Sequence, residues 1–75
     1  MLDERILTLA RTACTERQAR AFIWHHRGMS LRAIALRLDQ THSTVQDAYD
    51  GACRALRRAG VKFTPDGNPY LEDVA

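Results

Sequence analysis

With 75 residues, 45% of them hydrophobic and 27% charged, this chain can form one small globular domain, and a domain of that size buries only about 60% of its unfolded surface. Its formal net charge of +2 falls short of the strong positive charge that would by itself indicate a nucleic-acid binder. No apolar run approaches the roughly 20 residues of a membrane span, and the N-terminal Met-Leu-Asp-Glu-Arg does not resemble a signal peptide. We therefore expect a cytoplasmic protein with no membrane contact.

The first half of the chain predicts two amphipathic helices. Residues 2–13 place apolar side chains at intervals of three and four, which is the period of a helix with one buried side. Thr15 offers a hydroxyl N-cap to a second helix that runs through Arg27. Gly28 then ends this helix with a positive φ.

Two further helices are predicted, with a tight turn between them. Ser30 caps a helix of about nine residues, which is too short to be stable without packing partners. Residues 39–42 must turn the chain, because either Thr41 or Ser43 is a good N-cap for the fresh apolar stripe that follows. This fourth helix is ended by Gly60.

The last fifteen residues have a different pattern. Residues 61–64 are short and β-like, residues 65–69 have turn chemistry, and residues 70–75 form an acidic end. We expect a helical domain over residues 1–60 and a C-terminal tail over 61–75 that is irregular or docked. The predicted fold class is all-α: a small bundle of four helices with a short irregular tail.

The residues that usually carry catalysis or metal binding are sparse. Cys14 and Cys53 are too few and too far apart for a metal or redox motif, so buried thiols are favoured over a disulfide or a ligand pair. His25 and His26 have no Cys or His partner at metal-binding spacing. No nucleophile motif or glycine-rich phosphate loop occurs. The sequence predicts no enzyme, no metal and no cofactor.

The third and fourth helices have the geometry of a helix-turn-helix. Two helices joined by a short turn, the second one longer, place a recognition helix in the major groove of DNA. Val45 and Tyr49 are expected to anchor the fourth helix so that its opposite side faces outward. Trp24 and His25 lie off the main apolar side of their helix and are expected at the surface or in a dimer contact. A generic helical bundle with solvated arginines is the alternative, because its helices would show the same spacing of apolar residues.

Four segments within residues 15–58 carry a family pattern: TERQ at 15–18, RGMSLRAIALRL at 27–38, STV at 43–45 and RALRR at 54–58. The pattern resembles region 4 of sigma-70-family factors and the related LuxR-type (GerE) regulators. The resemblance implies a helical domain that recognises promoter-like duplex DNA, with the helix that begins at Ser43 in the major groove. The chain departs from the family at Asp39, where glycine is usual, and at Asp47 and Asp50, where sigma-like domains tend to carry Lys or Arg.

The predicted DNA contacts combine base readout with backbone binding. Gln46 can bond adenine in two places, and Asp47 can accept from a cytosine amino group. Asp50 is also expected to pair with Arg54 or Arg57 on the helix surface. The predicted set consists of Arg27, Arg32 and Arg37 flanking the groove, Thr41, His42, Ser43 and Thr44 near the helix start, and Gln46, Asp47 and Asp50 beyond them.

Sequence-specific binding to double-stranded DNA by a small transcription regulator is therefore the leading functional hypothesis, and the small size suits a phage- or mobile-element-encoded protein. A homodimer is expected, because one helix makes too few contacts for high specificity. The alternative is a sigma-region-4-like protein-interaction module that binds RNA polymerase or a regulator without binding DNA. Such a module would use the carboxylates of Asp47, Asp50, Glu72 and Asp73.

Overall fold

A computed structural model describes residues 2–73, which form four helices followed by a minimal β-hairpin. The helices are α1 (Glu4–Ala13), α2 (Glu16–His26), α3 (Leu31–Arg37) and α4 (His42–Arg58), and the strands are β1 (Lys62–Phe63) and β2 (Pro69–Tyr70). The strands pair antiparallel, with Lys62 opposite Tyr70 and Phe63 opposite Pro69. The prediction of a small all-α bundle is confirmed, with α3 and α4 as the helix-turn-helix and the hairpin in the short tail.

Each helix begins at a side chain that accepts a hydrogen bond from a backbone N–H of the first turn, which would otherwise lack a partner. The four N-caps are Asp3, Thr15, Ser30 and Thr41. The predicted caps of α2 and α3 are confirmed. Of the two residues proposed to cap α4, Thr41 does so, and the helix therefore begins at His42 rather than at Ser43.

The start of α2 carries a reciprocal cap that offers a stability test. The Thr15 hydroxyl accepts from the backbone N–H of Gln18 at 3.2 Å, and the Gln18 side-chain oxygen accepts from the Thr15 N–H at 3.0 Å. We expect Thr15→Ala to lower the free energy of unfolding by about 1 kcal/mol in urea denaturation. Thr12→Ala is the control, because the exposed Thr12 hydroxyl bonds only carbonyls of its own helix, and it should change stability by less than about 0.5 kcal/mol. Equal effects of both variants would contradict this role for the cap.

The turn between α3 and α4 depends on one left-handed residue. Asp39 has a φ of 54°, which confirms that aspartate takes the place where glycine is usual. Beyond it, the Gln40 N–H donates to the Ala35 carbonyl at 2.9 Å, and the Asp39 N–H donates to the Leu36 carbonyl at 3.3 Å. These two bonds satisfy carbonyls at the end of α3 and keep the turn short.

Buried side chains form two clusters joined through α2 and α4. The first cluster lies between α1, α2 and the second half of α4, and its members are Ile6, Ala10, Ala19, Phe22, Ile23, Ala52, Cys53, Leu56 and Val61. The second lies beneath the helix-turn-helix, and its members are Ala21, Ile34, Ala35, Val45 and Ala48. Trp24 and Tyr49 pack against both. Trp24 is half-buried between the clusters and also lines a surface groove with Arg11 and Arg27, so its predicted role as a surface or dimer contact stays a prediction.

Residues 61–73 pack against the first cluster through Val61, Phe63 and Leu71. Val61 is 2% exposed, and its N–H donates to the Leu56 carbonyl at 2.9 Å, which holds the chain against the end of α4. Asp73 forms an ion pair with Arg5 of α1 at 2.8 Å. Glu72 lies 3.8 Å from the Lys62 amine. Two of the four acidic side chains proposed to bind a partner, Glu72 and Asp73, therefore already have a basic neighbour within the chain.

Cys14 and Cys53 are free thiols, the first half-buried and the second buried. Burial raises the pKa of both, so both favour the neutral thiol. Among residues 2–73, no three His, Cys, Asp or Glu side chains are grouped so that they could hold a metal ion. No helix in this part of the chain is long and apolar enough to cross a membrane.

Candidate nucleic-acid interface

The first half of α4, residues 42–50, has one buried side and one open side. Val45 is 0% exposed and Ala48 7% exposed, and both belong to the cluster beneath α3. On the opposite side lie Ser43, Gln46, Asp47 and Asp50, which we call the outward face; Gln46 is half-buried and the other three are exposed. The predicted inward orientation of Val45 and Tyr49 is confirmed, and it leaves the outward face free of core packing.

Hydroxyl side chains organise the start of α4. The Thr41 hydroxyl accepts from the Thr44 N–H at 3.2 Å, and the two hydroxyl oxygens are hydrogen-bonded at 2.8 Å. Thr41 and Thr44 thus hold the cap, while His42 and Ser43 are exposed in the first turn. The first turn of α4 contains no acidic side chain. Its free N–H groups and the positive end of the helix dipole favour a negatively charged ligand such as phosphate.

Gln46 and Asp50 interact across one helical turn. The Gln46 Nε2 donates to the Asp50 Oδ1 at 3.1 Å. The expected pairing of Asp50 with Arg54 or Arg57 was wrong, because the carboxylate turns toward the preceding turn of α4. A primary amide has two N–H donors and one acceptor oxygen, so Gln46 retains one donor and its acceptor, the pair that adenine requires. The hydrogen bond to Asp50 therefore orients the Gln46 amide and leaves it one donor and one acceptor for a base.

The three arginines predicted to flank the groove lie in different surroundings. Arg32 is exposed on α3. The Arg37 guanidinium lies 5.3 Å from the centre of the Trp24 ring, a cation–π contact that holds it against α2. Arg27 lines a groove with Arg11 and residues of α2, and no residue of α4 lines that groove. Of these three positions, α3 supplies two, and Arg27 belongs to the α1–α2 side of the bundle.

Arg17 is a candidate that sequence reasoning missed. This exposed side chain lines a groove with Thr44 and Asp47, at the junction of α2 and the start of α4. When the side-chain amide of Gln40 turns its oxygen toward Arg17, that oxygen accepts from the Arg17 Nε at 3.2 Å and from the Arg17 Nη2 at 3.3 Å. Arg17 lies in the TERQ segment, far from α4 in sequence. The sequence therefore gave no sign that Arg17 and α4 meet in space. Packing of α2 on α4 brings this cation beside the outward face.

A polar link fixes α4 to the end of α2. The His26 Nε2 and the Tyr49 hydroxyl are hydrogen-bonded at 2.8 Å, and the His25 ring lies edge-on to the Tyr49 ring at 5.0 Å. His25 is itself held by a 2.9 Å bond between its Nδ1 and the Met29 carbonyl. Burial, and to a lesser degree the neighbouring His25, lowers the pKa of His26. Tyr49 thus sets the rotation of α4 from within the bundle.

The lowered pKa of His26 makes stability depend on pH. As pH falls, His26 in the unfolded chain binds a proton near its ordinary pKa of 6.5, whereas His26 in the folded protein binds one only at lower pH. We expect the free energy of unfolding to be constant above that pH and to fall as pH decreases toward the lower folded pKa. Urea denaturation between about pH 5 and pH 8 measures this dependence, and His26→Gln should flatten it. If His26→Gln kept the full pH dependence of stability, another titratable group would be its cause.

Comparison with known proteins bears on the same segment. Residues 15–46 match a family model described as a helix-turn-helix domain. The match covers less than half of the chain, from the cap of α2 to Gln46 on the outward face. No curated protein and no solved structure matched the chain. The match supports a helix-turn-helix domain without distinguishing sigma-70 region 4 from LuxR-type regulators.

Proposed function

We propose that this chain binds double-stranded DNA with sequence preference, with the first half of α4 in the major groove, and acts as a small transcription regulator. The observation that carries the proposal is the complete burial of Val45 under α3, which commits the opposite side of α4 to solvent. A helix-turn-helix uses that side to contact base edges. The match over residues 15–46 supports the same role.

Each part of the interface has a distinct task in this proposal. Gln46 reads adenine through its acceptor and its remaining donor, while Asp47 accepts from the amino group of cytosine. His42 and Ser43 meet phosphates or base edges at the positive end of α4. Arg17 of α2 and Arg32 of α3 bind the sugar-phosphate backbone and fix the register.

We further propose that a homodimer binds two half-sites, because the outward face of one chain offers few contacts. Half-sites one helical turn apart, about 34 Å, would be read by two α4 helices on the same side of the duplex. We also propose a location in the cytoplasm. The oligonucleotides recovered by selection from a random pool should then share a palindromic consensus.

Salt dependence tests the proposal directly. Binding to a duplex releases counterions, so a plot of log affinity against log salt concentration should be a falling line whose slope grows with the number of phosphate contacts. Fluorescence anisotropy with mixed-sequence and selected duplexes measures the slope. Absence of binding to every duplex at low salt would contradict the proposal.

Two substitutions should separate readout from positioning. Gln46→Ala is expected to cost about 1–3 kcal/mol at the preferred base pair and to relax the sequence preference there. Arg32→Ala removes a backbone contact and should weaken binding to all sequences alike, with a shallower salt slope. Competition binding with a set of single-base-pair variants of the selected site measures both effects. An unchanged preference in Gln46→Ala would remove this residue from the readout.

A protein-interaction module that binds RNA polymerase or a regulator is the second candidate. Two observations favour it: Asp47 and Asp50 are exposed carboxylates on the outward face, and Leu36 on the neighbouring α3 is 85% exposed. If this candidate is right, the chain should capture purified polymerase and should have no affinity for DNA. Capture lost in Leu36→Ala together with DNA binding at background level would favour it over the first proposal.

A further inference from the structure

The second half of α4 carries three arginines on the same side of the helix as the outward face. Arg54, Arg57 and Arg58, which we call the arginine row, are all exposed. Arg54 follows Asp47 by seven residues, or about two helical turns, and so lies almost directly along the helix from it. The open side of α4 therefore changes from acidic and polar in its first half to strongly basic in its second half.

No carboxylate of residues 2–73 forms an ion pair with the arginine row. The ion pairs found within residues 2–73 use Arg5, Arg20 and Lys62 as their cations, and none of them involves the arginine row. Asp50, the acidic residue nearest in sequence, accepts from Gln46 instead. Three guanidinium groups therefore remain available to an external anion.

The hairpin prepares one of these arginines for binding. The Arg57 guanidinium lies 4.8 Å from the centre of the Phe63 ring, so one side chain of β1 holds it by a cation–π contact. Arg54 and Arg57 also line a shared groove with Thr64 and Gly67 of the hairpin, and the Asp50 carboxylate lines the same groove without forming an ion pair with either arginine. A guanidinium stacked on a ring keeps its N–H edge free, and its loss of side-chain entropy on binding a phosphate is reduced.

We propose that the arginine row is a second DNA contact that binds backbone phosphates at the edge of the groove entered by the first half of α4. This inference rests on the proposed function. By the rise of an α-helix, Arg54 and Arg58 lie about 12 and 18 Å along the axis from Gln46. The major groove is about 12 Å wide, so a helix with Gln46 at the base edges brings its second half to a flanking strand.

Phosphate suits the arginine row better than a protein surface does. No large apolar side chain of α4 is exposed around these residues, and the partly buried Phe63 ring beside them lies under the Arg57 guanidinium. Protein interfaces, in contrast, centre on apolar or aromatic anchors. Arginine presents a planar fork of N–H donors that matches phosphate oxygens. The position of the row near the negative end of the helix dipole also stabilises α4, an effect that a stability measurement separates from binding.

The test compares salt slopes for the 75-residue chain on one mixed-sequence duplex. The triple variant Arg54→Gln/Arg57→Gln/Arg58→Gln should lower the slope by about 2–3, because each lost phosphate contact removes about 0.9. The weakening should be the same for selected and random sequences. Arg11→Gln on α1 is the matched control, removing an exposed arginine from another helix, and its slope should equal that of the wild type. Phe63→Leu should produce a smaller loss than Arg57→Gln.

The outcomes distinguish this inference from the proposed function. Failure of the wild-type chain to bind any duplex would overturn both. A wild-type chain that binds while the triple variant keeps the same slope would overturn the arginine row alone, as expected if the row bound an acidic protein. Thermal melting checks that the triple variant is folded. Should it unfold, single Arg54→Gln is decisive: a slope lower by about 0.9 supports the inference, and an unchanged slope overturns it.

Discussion

Leu56→Ala is expected to lower the free energy of unfolding by about 2–5 kcal/mol. Leu56 is 0% exposed and belongs to the cluster where α1, α2 and the start of the tail meet α4. Its replacement removes apolar burial and leaves a cavity that the surrounding helices fill only in part. A 75-residue domain has a total stability of about 4–11 kcal/mol, so this one change removes a large fraction of it. Urea denaturation followed by circular dichroism measures the loss.

The chain contains a matched control for that prediction. Leu36 on α3 is 85% exposed, so Leu36→Ala makes the same chemical change without altering core packing. Its effect on stability should be within about 0.5 kcal/mol. A comparable loss from both substitutions would mean that Leu36 is covered in solution, most simply by a second copy of the chain, and the loss would then depend on protein concentration.

Ser43→Glu should have opposite effects on folding and on DNA binding. A carboxylate in the first turn of α4, where none is present, interacts favourably with the positive end of the helix and should raise stability by about 0.3–1 kcal/mol. On the outward face the same carboxylate would meet phosphates and acceptor-rich base edges. Juxtaposed like charges cost several kcal/mol, which corresponds to a loss of affinity of at least about 100-fold.

This divergence makes Ser43→Glu informative, because weakened binding cannot be attributed to unfolding when the melting temperature rises. Ser43→Gln is the neutral control of nearly the same shape, and its affinity should fall by much less. Anisotropy titrations with a selected duplex, paired with thermal melts, provide both measurements. Full affinity in Ser43→Glu would place the first turn of α4 outside the DNA contact.

The features that could be predicted from sequence are those decided by local chemistry. Thr15 and Ser30 have side chains that satisfy the N–H groups at a helix start, and Gly28 and Asp39 tolerate a left-handed backbone. These preferences act within a few residues, so sequence spacing alone locates them. The inward orientation of Val45 follows in the same way from the helical period.

The features that sequence did not predict depend on competition or on tertiary packing. Asp50 has Gln46 one turn before it and Arg54 one turn after it, and spacing alone does not choose between them; the carboxylate accepts from Gln46. Trp24 lies off the apolar stripe of α2 but at the junction of two clusters, which no single-helix pattern reveals. Arg17 meets α4 only because α2 packs across it.

The proposed function requires that the outward face of α4 is the surface that meets DNA, and chemical-shift mapping tests this most directly. An isotope-labelled chain titrated with a duplex recovered by selection reports binding at every backbone amide. We predict the largest shift changes within residues 41–50 and at Arg17, with small changes along the solvent side of α1. Large changes confined to α1, with the amides of residues 41–50 unmoved, would contradict the proposed role of α4.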